Sequence, residues 1–170
     1  MCIRDRRSIN VGGHRVTNEQ LAATLASAGV ATPTPYQASG NVFFSGDLPA
    51  TSALEQALEG ELGYVVPLTV RNAEELRAIA AAEPFDSTAL ASSVSKPQVI
   101  LLLEGEADAA AVHGLSTEDD LLVGAGRQVF WLPKLGVSGT VFDPNKMAAA
   151  FGVNTVRTQA TIQRLVKKLA

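Results

Sequence analysis

"TPTPYQASGNVFFSG", Thr32 to Gly46, lies between two stretches of helical periodicity, and its reading decides the fold. Its two prolines and Tyr36 mark an extended piece, Ser39-Gly40-Asn41 supplies a turn, and Val42 to Phe44 is a short apolar strand. The stretch reads as a β-hairpin. Upstream, Thr17 and Gln20 have the spacing of a capping box, and Leu21, Thr24, Leu25 and Ala28 recur at helical spacing until Gly29. Downstream, Thr51 or Ser52 opens a second helix whose Leu54, Leu58 and Leu62 form a stripe ending at Gly63. "YVVPLTV", Tyr64 to Val70, is then rich in β-branched residues, and Pro67 confines it to a sheet edge. If a strand also precedes residue 7, the first half has the β-α-β-β-α-β order of ferredoxin-like folds.

Asn72 caps a connecting helix carrying Leu76 and Ile79, after which "EPFDSTALASSVSKPQ", Glu83 to Gln98, loses periodicity and gathers serine and proline. That places a first α+β half at 1–83, a linker at 84–98 and a second half at 99–170. In the second half "VILLL" is a buried strand and Ala107 to His113 a helix. Leu121 to Val123 and Val129 to Leu132 are strands turned through Gly124-Ala125-Gly126. Asp143-Pro144 starts a helix that Gly152 closes, Asn154 to Val156 is extended, and Thr158 caps a last helix with Ile162, Leu165, Val166 and Leu169 on one face. The fold class is α+β: two ferredoxin-like halves in one compact protein, with an extra C-terminal helix. The duplication is legible in the order of elements and not in residue identity.

Composition bounds the function. With 46% hydrophobic and 18% charged residues over 170 positions, the chain is globular. A net charge of -3 offers no basic field for nucleic acid or an anionic membrane surface. The single cysteine, Cys2, excludes an internal disulfide, and the sequence supports neither export nor membrane spanning, so a cytoplasmic location is expected.

"RSINVGGH", Arg7 to His14, resembles a phosphate loop lacking its second half. Gly12 and Gly13 are adjacent and no lysine follows, so neither the dinucleotide fingerprint nor the P-loop spacing is met. Two glycines ahead of a helix still let the backbone turn with uncovered amides, and Arg7 and Arg15 flank them, so a small anion could be held there. The competing reading is a tight strand-to-helix connection.

At these residues the chain resembles an uncharacterised, largely bacterial family, domain of unknown function 1697. Its members open with an apolar strand, then R-G-I-N-V-G-G, then Y-x-x-S-G-N-V; the matching pieces are "RSINVGG" at Arg7 to Gly13 and "YQASGNVFF" at Tyr36 to Phe44. The resemblance implies the two-part fold and a common site at both motifs, carried by Arg7, Asn10, Gly12, Gly13, Ser39, Gly40 and Asn41. It implies no activity. Ser8 replaces the usual glycine, and "TVRTQATIQRL" keeps Arg157 but lacks the Asn-Trp-Asn that many members have after it.

Other candidates are weaker. His14 has no paired carboxylate or serine at interpretable spacing, and His113 is far along the chain. No metal-ligand spacing occurs and no cofactor is expected. Phe43 and Phe44 face opposite sides of a strand, so at most one could stack on a base, and Phe130 and Leu132 share a face opposite Trp131. The start, "MCIRDRR", offers only Cys2 and Ile3 before a run of charges where a central strand should be apolar. It looks like the spurious ends of reading frames taken from metagenome assemblies, and Met1 to Arg6 is expected not to be native sequence. The leading functional reading is a non-catalytic or weakly catalytic domain binding a small anionic or phosphate-bearing ligand. The second is a protein interaction or homo-oligomerisation module, and the third a weak hydrolase or transferase.

Overall fold

The computed structural model describes residues 2–4, 16–36, 40–140 and 144–169, with backbone alone at 2–4 and 144–146. In the first unit, Met1–Asn72, the elements are β1 (Cys2–Arg4), α1 (Asn18–Ser27), β2 (Thr34–Tyr36), β3 (Asn41–Phe43), α2 (Thr51–Leu62) and β4 (Leu68–Val70). Helix α1 starts where the capping box requires. The Thr17 hydroxyl accepts from the Gln20 amide at 3.1 Å, and the Gln20 side chain accepts from the Thr17 amide at 3.0 Å. Gly63 ends α2 in the left-handed region, at φ 77°, where a side chain would be strained.

The expected hairpin forms, and β1 completes its sheet: Cys2 and Ile3 pair with Val42 and Asn41 on one side, and Cys2 to Arg4 pair with Val70 to Leu68 on the other. The strand order is β2-β3-β1-β4, antiparallel throughout. The charged N-terminal stretch therefore supplies a central strand, reduced to three residues. Pro67 precedes β4 and leaves it on the edge, where the Leu68 amide donates to Glu55 Oε1 of α2 at 2.8 Å. One face of the sheet carries the core. Val42 and Leu68 pack with Leu21 and Leu25 of α1 and Leu54 and Leu58 of α2.

The second unit, Ala73–Ala170, contains α3 (Ala73–Ala81), α4 (Ser87–Ala91), β5 (Gln98–Leu102), α5 (Ala109–Gly114), β6 (Asp120–Ala125), β7 (Gln128–Pro133), α6 (Pro144–Phe151), β8 (Asn154–Thr158) and α7 (Gln159–Val166). Its sheet is also antiparallel, in the order β6-β7-β5-β8. Counting strands within each unit, both sheets thus run second, third, first, fourth. Ile100, Leu102, Leu122, Val129 and Trp131 form a core with Val112 of α5 and Met147 of α6. With two antiparallel sheets and seven helices among the described residues, the fold class is α+β.

Two details differ from the sequence reading. Periodicity assigns the connecting helix to the first half and a linker to 84–98, whereas the contacts divide the chain after Asn72. The reason is side-chain capping from α7: Gln159 Nε2 donates to the carbonyls of Ile79 and Ala82, and Gln163 Nε2 to that of Ala80, binding the C-terminal turn of α3. Within the segment read as linker, Asp86 caps α4 by accepting from the Ala89 amide at 2.7 Å.

Candidate functional site

Among the motif residues, Gly40 and Asn41 fall within the described part of the chain; Arg7, Asn10, Gly12, Gly13 and Ser39 lie outside it, as does His14. Gly40 is buried and left-handed at φ 70°, a conformation that favours glycine there. Asn41 is not in the turn, where the Ser-Gly-Asn signal puts it. It is the first residue of β3, 1% exposed, and pairs with Tyr36 on one side and Ile3 on the other.

Strand alternation sets the chemistry of the two faces. Val42, Leu68 and Val70 face the helices, so Asn41, Phe43, Thr69 and Arg71 belong to the opposite face, which Asn41 shares with its neighbour Tyr36. Tyr36 and Phe43 meet edge-on there, centroids 5.6 Å apart, and Phe44 turns to the core instead. This face is polar and buried: Thr69 is 1% exposed and Arg71 fully buried. Arg71 Nη1 donates to Thr69 Oγ1 at 2.6 Å and to the Val70 carbonyl at 3.0 Å.

Sequence reasoning passed over Thr69 and Arg71, and the signal that could have found them is a repeat. "TVR" occurs at Thr69 to Arg71 and again at Thr155 to Arg157, in the last strand of each half or directly after it. Arg157 Nη1 makes the same two bonds, to Thr155 Oγ1 and the Val156 carbonyl, each at 2.9 Å. The duplication is therefore written in residue identity as well as in element order, which corrects the sequence reading.

His113 is exposed at the end of α5, and among the described residues no group of three or more His, Cys, Asp or Glu side chains could hold a metal ion. No helix among them is long and apolar enough to cross a membrane. An open groove between α1 and α2, lined by Ala23, Ser27, Ala57 and Gly60, and another beside Pro84, Leu90 and Gln163 contain none of the motif residues.

Comparison with known proteins agrees with this architecture. The chain is similar in structure to the conserved bacterial protein SP0830 from Streptococcus pneumoniae, with a TM-score of 0.66 and 20% sequence identity over 99% of this chain and 97% of that one. At that identity the likeness shows the fold alone. No curated protein matches the sequence. Residues 7–130 match a family described as "Protein of unknown function (DUF1697)", a stretch that takes in both motifs, β5, β6 and the start of β7, and the chain belongs to that family.

Proposed function

We propose that this protein is a cytoplasmic domain that binds a small anionic or phosphate-bearing ligand where Asn10 to Gly13 meets Ser39 to Asn41. The observation that supports the reading is the register of β1. Ile3 pairs with Asn41, the first residue of β3, and the two strands are antiparallel. The chain thus leaves β1 at the end of the sheet where the β2–β3 turn lies. Arg7 follows Arg4 by three residues, at most roughly 11 Å of chain. Asn41 offers a buried carboxamide at that end, and a guanidinium and glycine amides from the first motif would complete a set of convergent donors.

A thermal-shift screen over orthophosphate, pyrophosphate, nucleotides, sugar phosphates, polyphosphate and short RNA tests the reading. A ligand at a hundred times its dissociation constant adds about 2.7 kcal/mol of stability. Arg7→Ala should then weaken binding by about 1.5–3 kcal/mol with the fold unchanged. A screen in which no phosphate-bearing compound raises the melting temperature removes the proposal.

One observation favours the second reading, a protein contact. Val94, Leu135 and Val137 are 82%, 58% and 53% exposed on two loops that the Val94 amide joins by donating to the Lys134 carbonyl at 2.9 Å. An exposed apolar cluster of this kind marks interaction surfaces.

A further inference from the structure

Helix α3 reaches its C-terminus without a basic residue in its last turn, and the carboxylate of Glu83 follows two residues beyond its end. The last carbonyls of a helix lack intrahelical partners and carry partial negative charge, so a cation is the group that stabilises them. Neutral carboxamides stand there instead. Gln159 Nε2 donates to the Ile79 carbonyl at 3.1 Å and to the Ala82 carbonyl at 2.7 Å, and Gln163 Nε2 donates to the Ala80 carbonyl at 3.2 Å.

Gln159 is held from both sides. Its backbone amide donates to the Pro97 carbonyl at 2.9 Å, and the residue is 8% exposed. A carboxamide has two N–H donors and one accepting oxygen. With its nitrogen committed to two carbonyls of the α3 end, its oxygen has no donor among the described residues. The side chain is thus more than nine-tenths buried, fixed in orientation, and left with an acceptor to offer.

What it can offer that acceptor to is a groove of about 490 Å³, which both glutamines line together with Glu83 and the end of α3. A volume of that order suits a small molecule. Pro84, Phe85, Leu90 and Pro97 give the groove an apolar surface, and no Lys, Arg or His is among its lining residues. Acceptor oxygens, a carboxylate and the negative end of a helix therefore gather beside apolar side chains.

We infer that this groove binds a primary ammonium carried on an apolar body. The ammonium has three donors and no acceptor, which matches the two glutamine oxygens and the Glu83 carboxylate, while the body lies against Pro84, Phe85 and Leu90. An alcohol brings a single donor and no charge. A carboxylate brings no donor and is repelled by Glu83. The site shares no residue with the anion site under Proposed function and stands if that reading falls.

The test titrates the full-length chain with phenethylammonium, phenylethyl alcohol and phenylacetate, followed by proton–nitrogen correlation spectra. The ammonium is expected to bind about tenfold more tightly than the alcohol, and phenylacetate more weakly than either. The largest shifts should fall on the amides of Ala80 to Glu83 and on the side-chain amides of Gln159 and Gln163. Glu83→Lys sets the protein's own cation at the end of α3, so it should retain stability while weakening phenethylammonium about tenfold. Gln159→Met removes the oxygen together with two caps and should abolish binding. Should that variant fail to fold, Gln163→Met and Glu83→Lys decide, each with an expected loss of affinity. An ammonium that binds no more tightly than the alcohol, shifts centred away from α3 and α7, or a Glu83→Lys affinity within about twofold of the parent overturns the inference.

Discussion

The indole Nε1 of Trp131 donates to Oδ1 of Asp120 at 2.8 Å, and both residues are 1% exposed. The same carboxylate oxygen accepts from Thr140 Oγ1 at 2.6 Å. One buried acceptor thus ties the end of the β6–β7 ladder to the loop beyond β7. Apolar surroundings raise the cost of leaving such donors unmatched, because neither can turn to water.

Asp120→Ala is therefore expected to destabilise the second unit by about 1–3 kcal/mol for each donor left without its acceptor, whereas Asp120→Asn, which keeps an oxygen in place, should cost less. Trp131 is the single tryptophan of the chain, so its emission reports this site directly. Urea unfolding followed by tryptophan fluorescence checks the order. Equal midpoints for the parent and Asp120→Ala would show that the bond contributes nothing.

Gly124, which the Gly124-Ala125-Gly126 spacing places in a turn, is a strand residue, and of the two glycines only Gly126 has a positive φ. A Cβ on Gly124 would lie 3.2 Å from Val112 Cγ2, 3.3 Å from Ala107 Cβ and 3.3 Å from Ala109 Cα. Two of those atoms cannot rotate away. Gly124→Ala should cost about 1–3 kcal/mol, the range for overpacking, through displacement of α5 from the edge of the sheet. A calorimetric scan showing an unchanged or higher melting temperature would mean that α5 yields freely.

What could be read from the sequence follows from how local each signal is. The capping box at Thr17 and Gln20, the Leu54 and Leu58 stripe, the stop at Gly63 and the opposite facing of Trp131 and Phe130 all depend on neighbours within a few positions, and all hold in the structure. Helix α4 escaped notice because five residues show no periodicity, leaving only the Asp86 cap to announce it. Arg71 and Asp120 escaped because a buried polar residue looks like a surface one until its partners are known, and those are set by strand register. The candidate site was legible as two loop motifs. That β1 ends beside the start of β3 emerges only from the pairing of Ile3 with Asn41.

The register and the loop before β6 also bear on association through sheet edges. Strand β6 is an outer strand of six residues, long enough to template a second chain. At Asp120 and Leu122 its outward groups are already engaged. The Leu122 amide donates to Ser116 Oγ at 2.9 Å, and that hydroxyl donates back to the Leu122 carbonyl at 3.3 Å. Thr117 does the same for Asp120, accepting from its amide through Oγ1 at 3.0 Å and donating its own amide to its carbonyl at 2.8 Å. Two hydroxyl side chains thus close the first half of an edge that would otherwise recruit strands. Replacing both, Ser116→Ala with Thr117→Val, frees the Leu122 groups and the Asp120 amide while changing little volume. Each lost bond should cost about 0.5–1.5 kcal/mol, and the opened edge should make the protein associate with rising concentration. Sedimentation velocity across a concentration series reads this directly: a larger weight-average sedimentation coefficient for the double variant than for the parent is the expected result. Identical concentration dependence would mean that α5 and its loop shield the edge without help from Ser116 and Thr117.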